Sequence, residues 1–153
     1  MENIRLISDL IEYMENEKLP GAILFIDFKK AFDSLEWDLM HKALELFGFG
    51  ETFRRWIRVF YNNVQSCVVN NGFSTGWFTL QRGIRQGCPL STALFVLSIE
   101  LLAINVRNTE KIKGITIPPN FEKRISGFAD DTTLFLENIE DVRASLQILN
   151  EFN

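Results

Sequence analysis

Ile4, Leu6, Ile7, Leu10, Ile11 and Met14 recur three and four positions apart, the spacing of one apolar helical face. "LPG" at 19–21 then supplies a proline and a glycine, so the spacing predicts a helix ending near residue 18. The period changes at once. Residues 22–26 are unbroken apolar, the mark of a central strand buried on both faces, and Asp27 lies near its end. Asp33 and Glu36 have the spacing of a capping box, which predicts a helix through "SLEWDLMHKALELF" that stops at Gly48. In "TFRRWIRVFYNN" Phe53, Trp56, Ile57, Phe60 and Tyr61 form one stripe, with Arg54, Arg55 and Arg58 largely off it, so a locally basic amphipathic helix is expected.

"NNG" at 70–72 separates two strand-like runs, 64–69 and 73–80, and predicts a hairpin, because Asn-Gly readily adopts the positive φ angles of a tight turn. "QRGIRQGCPLS" follows, with two glycines and then Pro89, a residue suited to the first turn of a helix. Residues 90–107 are so apolar that this helix is expected to be buried. "KGITIPP" reads as a short edge strand closed by prolines. "KRISGFA" and "TTLFLE" read as two strands joined at Asp130 and Asp131, and "DVRASLQILNEF" as a last helix. Hairpins mixed with helices indicate an α+β fold with an antiparallel-containing central sheet covered by helices.

Composition narrows this further. A chain of 153 residues, 46% of them hydrophobic, suits a single domain, residues 1–153, with a real core. The net charge of −4 argues against an overall electrostatic attraction to polyanions, so nucleic-acid contact has to be local. Cys67 and Cys88 lack CxxC spacing, which suggests neither a zinc site nor a disulfide framework and points to a reducing compartment. No apolar run is read as reaching transmembrane length and the start has no signal-peptide pattern, so an intracellular protein without a membrane partner is expected. His41 is the only histidine; that removes histidine-pair metal sites, argues against a serine or cysteine triad, and leaves an exposed helix surface as its expected setting.

"GFADDTTLF" at 127–135 is the chemical anomaly. Adjacent carboxylates repel, and a plain turn would use Asn-Gly or Asp-Gly instead. Lysine or arginine could answer them, but a divalent cation does so better if Asp27 comes alongside as a third carboxylate. Hard oxygen ligands favour magnesium, which keeps waters and takes one or two carboxylates plus substrate phosphates.

"FIDFKKAFDS", "RGIRQGCPLS" and "GFADDTTLF", in this order, resemble three successive motifs of the reverse transcriptase palm, above all in non-LTR retrotransposons of the LINE type. "NIRLISDLIEY", "FGFGETFRRWI" and the following hairpin resemble the segments around those motifs, so the likeness covers the whole chain. The resemblance implies a polymerase palm lacking most of the fingers and the thumb, and an RNA-directed DNA polymerase acting on an RNA template, a DNA primer and deoxynucleoside triphosphates. It implies nuclear localisation if the chain is part of a retrotransposon protein. It makes Asp27, Asp130 and Asp131 catalytic, with Asp27, Asp130, Asp131 and the Phe28 carbonyl around two Mg2+ ions, Mn2+ being able to substitute. Phe32 corresponds to the bulky residue that excludes a ribose 2′-hydroxyl, Gln86 and Gly87 to positions near the incoming nucleotide and template base, and Arg82 and Arg85 to phosphate contacts. Phe128 stands where the family commonly has tyrosine, and Thr92 where relatives often have proline. Weak or absent activity of the isolated chain is expected, because backbone contacts dominate nucleic-acid affinity. The competing expectation is a silent remnant that serves as a folded nucleic-acid-binding or protein-interaction module. A palm-like RNA-templated RNA polymerase or nucleotidyl cyclase is a third, disfavoured by Phe32 and "RGIRQGCPLS".

Overall fold

The computed structural model describes residues 2–128 and 131–152, and the chain divides into two compact units, Met1–Phe28 with Glu100–Asn153, and Lys29–Ile99. The architecture is mixed α and β with antiparallel pairing throughout. This is the α+β class expected, and it is consistent with a polymerase palm.

The first unit is built on a three-stranded sheet. Helix α1 (Glu2–Glu17) leads into strand β1 (Ala22–Asp27), which pairs antiparallel with a strand from the far end of the chain, Asp131–Leu136. That strand also pairs with Ile125–Phe128, so it is the middle strand of the three. The apolar run 22–26 is therefore not central: β1 flanks the sheet, and Phe25 is 66% exposed. A continuous apolar run does not distinguish a strand covered on both faces from one whose second face is only partly covered. The fully buried run is 132–136.

Alternation along β1 sorts the sheet into two faces. Ala22, Leu24 and Ile26 join Leu134, Leu136 and Ile125 in a core closed by Leu102, Ala103 and Val106 of helix Pro89–Asn108 and Ile148 of the last helix, Asp141–Phe152. Ile23 and its cross-strand partner Phe135 point the other way, onto Leu10, Ile7 and Met14 of α1 and onto Ile115. That second face is covered at the Ile23 end. At the other end it carries Phe25, Asp27 and Asp131, all exposed.

The segment expected as one strand over 123–129 is split. Ile115–Ile117 pairs with Phe121–Lys123, and Ile125–Phe128 belongs to the main sheet. Arg124 marks the break: its guanidinium makes two bonds to the Glu122 carboxylate at 2.9 and 3.0 Å and also donates to the carbonyls of Arg107 and Thr109, tying the hairpin to the end of the long helix.

The second unit begins with α2 (Ala31–Ser34), α3 (Trp37–Leu46) and α4 (Glu51–Phe60). The expected capping box is absent: Asp33 lies inside α2, and Glu36 precedes α3 without a side-chain cap. Leu35 separates two helices where one was expected, its extended backbone turning the chain. The stop at Gly48 holds. Gly48 has φ 74°, its N–H reaches the Glu45 carbonyl at 3.0 Å, and the Phe49 N–H reaches Leu44 at 3.0 Å, the paired bonds of a Schellman motif.

On α4 only Ile57 is buried, while Phe53, Trp56, Val59 and Phe60 are exposed. The basic side is partly neutralised, because Arg54 pairs with Glu45 and Glu51, and Arg58 with Glu51. His41 is half-buried rather than on open surface, and its Nδ1 has no hydrogen-bond partner among the described residues. The hairpin forms as two short ladders. β2 (Gln65–Ser66) pairs with β5 (Phe78–Thr79), β3 (Val69–Asn70) pairs with β4 (Phe73–Ser74), and Asn71 and Gly72 turn with φ 49° and 82°.

We number the remaining elements α5 (Pro89–Asn108), β6 (Ile115–Ile117), β7 (Phe121–Lys123), β8 (Ile125–Phe128), β9 (Asp131–Leu136) and α6 (Asp141–Phe152). Helix α5 is buried along a stripe, Ser91, Leu94, Phe95, Ser98, Leu102 and Val106, with Leu97 half-buried and Val96 exposed. Apolar character all round is thus not burial all round. By length and composition alone α5 is also apolar enough to cross a membrane, contrary to the expectation that no run reaches that length, because Ser91, Thr92 and Ser98 barely lower the mean hydropathy.

Candidate active site

Two clusters bring together residues that the sequence singled out. In the first unit the register of β1 and β9 sets Asp27 directly opposite Asp131. Directly opposed residues of an antiparallel pair project from the same face, with Cβ atoms about 5 Å apart. Both carboxylates are exposed, at the uncovered end of the sheet, and neither has a lysine or arginine partner among the described residues. Asp130 lies outside the described residues, as does Ala129, and among the described residues no group of three histidine, cysteine or carboxylate side chains gathers to hold a metal. Phe28, next after β1, packs its ring into the sheet's helix-covered core.

The fit to a divalent ion rests on this pairing. Like charges directly opposite one another in a ladder are destabilising, and among the described residues no lysine or arginine pairs with them. A hard cation held by oxygen donors would offset that repulsion.

In the second unit "RGIRQGCPLS" is fastened to the segment 31–37. The Gly83 N–H donates to the Leu35 carbonyl at 2.8 Å, the Ile84 N–H to Phe32 at 2.7 Å, and Trp37 Nε1 to Gly83 at 2.8 Å. Glu36 and Arg82 form an isolated β-bridge. Gly83 is obligatory twice over, since its φ is 88° and an added Cβ would come within 2.8 Å of the Asp33 carbonyl oxygen.

Gln86 Nε2 donates to Asp33 Oδ1 at 3.3 Å, which gives Asp33 a role unlike the cap expected of it. Phe32 is half-buried and stacks on Phe95 of α5, centroids 5.0 Å apart and rings within 15° of parallel. Gly87 has φ 79° and open space where a side chain would be, so its backbone conformation calls for glycine and leaves its surface open. Beside them lies a cleft of 680 Å3 whose lining includes Asp33, Trp37, Tyr61, Arg82, Arg85 and Gln86.

Trp37 and Asp33 were not singled out as pins, and only a long-range contact reveals them. The charge distribution was equally hidden. Lys29–Ile99 carries eight lysines and arginines against five aspartates and glutamates, a net +3 inside a chain whose net charge is −4. The second unit is thus net positive although the chain as a whole is acidic.

The family model described as reverse transcriptase (RNA-dependent DNA polymerase) matches residues 1–153. This chain belongs to the reverse transcriptase family. The family as a whole uses divalent metals and works on RNA templates and nucleotides.

Among its relatives is the Pol polyprotein of the type-2 retrotransposable element R2DM of Drosophila melanogaster, 32% identical over 97% of this reverse transcriptase chain and 13% of that protein. The transposon TX1 uncharacterized 149 kDa protein of Xenopus laevis is 30% identical over 92% of the chain and 11% of that protein. The Pol polyprotein of a type-1 R2 element of Nasonia vitripennis is 30% identical over 95% and 14%. The reverse transcriptase chain thus spans a small fraction of the length of these relatives, and the retrotransposable elements named for the Drosophila and Nasonia proteins agree with the non-LTR resemblance of its motifs.

Proposed function

We propose that this chain is the palm of an RNA-directed DNA polymerase of the R2 and LINE kind, extending a DNA primer along an RNA template from deoxynucleoside triphosphates. The observation that carries the reading is the β1–β9 register, in which carboxylates from two motifs more than a hundred residues apart in sequence meet as direct partners.

Asp27, Asp130, Asp131 and the Phe28 carbonyl would hold two Mg2+ ions, with Mn2+ an acceptable substitute. When bound, such ions lower the pKa of a primer 3′-hydroxyl and neutralise charge on a pyrophosphate leaving group. The chain's own contribution is position. Asp27 and Asp131 are fixed by the strand ladder rather than by a loop, so neither has to be ordered when substrate arrives.

Phe32 would exclude a ribose 2′-hydroxyl, and its stack on Phe95 supports this role by denying the ring other rotamers. Gln86, oriented by Asp33, and the open backbone of Gly87 would meet the nucleotide and template base. Arg82 and Arg85 would contact phosphate, an assignment supported by the absence of ion-pair partners for them among the described residues. The setting would be intracellular, and nuclear for a retrotransposon protein.

The test is single-nucleotide incorporation on an RNA template with a DNA primer at high enzyme concentration, in Mn2+ and in Mg2+. It is run beside Asp27→Asn and Asp131→Asn and with ribonucleotide in place of deoxynucleotide. Metal-dependent incorporation lost in both variants is the expected outcome. No incorporation together with no metal-dependent thermal shift would sink the polymerase reading.

A further inference from the structure

Cys88 immediately precedes Pro89, the first residue of α5, and lines the 680 Å3 cleft together with Ser91, Arg82 and Arg85. Three features of this corner favour a sulfur anion. Hydrogen bonding from the backbone N–H of Leu90 and then of Ser91, whose N–H also reaches the Cys88 carbonyl at 3.0 Å, holds the thiol below the ordinary cysteine range, with a smaller contribution from Arg85. These two are the first N–H groups of a 20-residue helix, whose dipole adds to the effect. Ser91, which also lines the cleft, is 1% exposed, and its Oγ has no hydrogen-bond partner among the described residues. That hydroxyl favours the sulfur anion too, against the opposing effect of burial. A buried hydroxyl left unpaired beside a cleft is a group awaiting an acceptor.

The charge around the cleft selects the reactant. Arg82 and Arg85 have no carboxylate partner within ion-pair distance among the described residues, and Asp33, the one carboxylate on the lining, is engaged by Gln86. The unit as a whole is net +3. Cys67, the other free cysteine, is not among the residues that line the cleft.

We infer that Cys88 is a thiol–disulfide exchange site for small anionic disulfides, such as a peptide disulfide with free carboxylates, and that the cleft receives the adduct. The Cys88 thiolate attacks one sulfur of the disulfide, and a new S–S bond forms as the old one breaks. The departing thiolate leaves with the electron pair and takes a proton from water; Cys88 is oxidised while the small disulfide is reduced by the same two electrons. The carboxylates of the bound half meet Arg82 and Arg85, and the Ser91 hydroxyl finds its acceptor. An adduct here sits against Gln86, so the redox poise of the surroundings would reach the "RGIRQGCPLS" turn. The inference stands whether or not the chain polymerises DNA.

The experiment treats the unmodified 153-residue chain with a dianionic aromatic disulfide, with a dicationic aliphatic disulfide (cystamine), and with glutathione disulfide, and maps the modified peptides by mass spectrometry over time. Cys88 is expected to react ~10-fold or more faster than Cys67 with the anionic reagents, as for thiols held near a helix N-terminus and a cation. Each thiol's rate for the anionic aromatic disulfide is divided by its rate for cystamine; this ratio should be higher for Cys88 than for Cys67 and should fall in Arg85→Gln and at high salt. In guanidinium the two cysteines should become equivalent. Cys67→Ser supplies the Cys88 rate without competition, so the result does not depend on the folding of any Cys88 variant. Equal rates for the two cysteines in the folded chain, or a Cys88 ratio no higher than that of Cys67, would overturn the assignment.

Discussion

Replacing Asp27 by asparagine should stabilise the chain when no divalent ion is present. Asp27 and Asp131 are direct cross-strand partners, and their exposed carboxylates share the open end of one sheet face. Two unit charges about 5 Å apart repel by about 0.8 kcal/mol in bulk water and by about 3 kcal/mol at an effective dielectric constant of about 20. Exposure favours the lower figure, so removing one charge should contribute about 0.5–1 kcal/mol, a rise of roughly 1–4 °C in Tm for a chain of this size. Thermal melts in EDTA at low ionic strength measure this, and the gain should shrink on adding monovalent salt, since both groups face solvent.

Mn2+ should reverse the order. A site with a Kd of about 1 mM in about 10 mM free ion gains about 1.4 kcal/mol by mass action, and that gain should belong to the unmodified chain and not to Asp27→Asn. Asp131→Asn should behave in the same way. Two outcomes refute the reasoning. A less stable Asp27→Asn in EDTA means that the carboxylate makes a favourable contact instead of a repulsive one; an equal Mn2+ shift in variant and parent means that the ion binds elsewhere.

Leu94→Ala should cost about 2–5 kcal/mol, because Leu94 is 1% exposed. Leu97→Ala, at a half-buried position on the same helix, should cost about 1 kcal/mol; urea unfolding that ranks them the other way would move the buried stripe of α5. Gly83→Ala should cost about 1–3 kcal/mol or more through a positive φ and a clash with the Asp33 carbonyl, read as a lower urea midpoint with altered near-UV signal from Trp37. Burial and then Arg58 hold the His41 imidazole below its ordinary 6.5, against the weaker pull of Asp38. The unfolded chain therefore takes the proton first. The stability contributed by neutral His41 is fully present above about pH 6.5 and is lost as pH falls through the lower folded-state value; His41→Gln should flatten that slope between about pH 7 and 5.

What could be read without a structure divides along the range of the forces involved. The Gly48 stop, the Asn71-Gly72 turn and the start of α5 at Pro89 follow from backbone chemistry confined to a few residues, and all were legible. The position of β1 in its sheet was not. Residues 22–26 are apolar enough for a central strand, and only the pairing with 132–136 makes β9 the middle of the three. Asp33 misled for a related reason: its spacing to Glu36 fits a cap, but the turn at Leu35 and the bond from Gln86, 53 positions away, decide its use. The same holds for the aromatic stripe of α4, where periodicity gives the direction of a face and says nothing of what covers it.

The site's location follows from how the sheet is covered. Helices α5 and α6 close one face, where Leu134, Leu136, Leu102 and Ile148 form the larger core of the first unit. The other face is covered only in part. Helix α1 and Ile115 reach Ile23 and Phe135 at one end, and beyond them Phe25 is left in solvent beside the two carboxylates. An exposed phenylalanine and an unrelieved pair of like charges are both costs by the ordinary rules of sheet design. They coincide on one patch, on the face opposite the packed core, which is the placement that the proposed metal site requires. A chain under selection for folding alone would place threonine or lysine opposite Asp131 and lose nothing from its core. An aspartate there accords with the proposed metal site, because a bound divalent ion would offset the repulsion across the ladder.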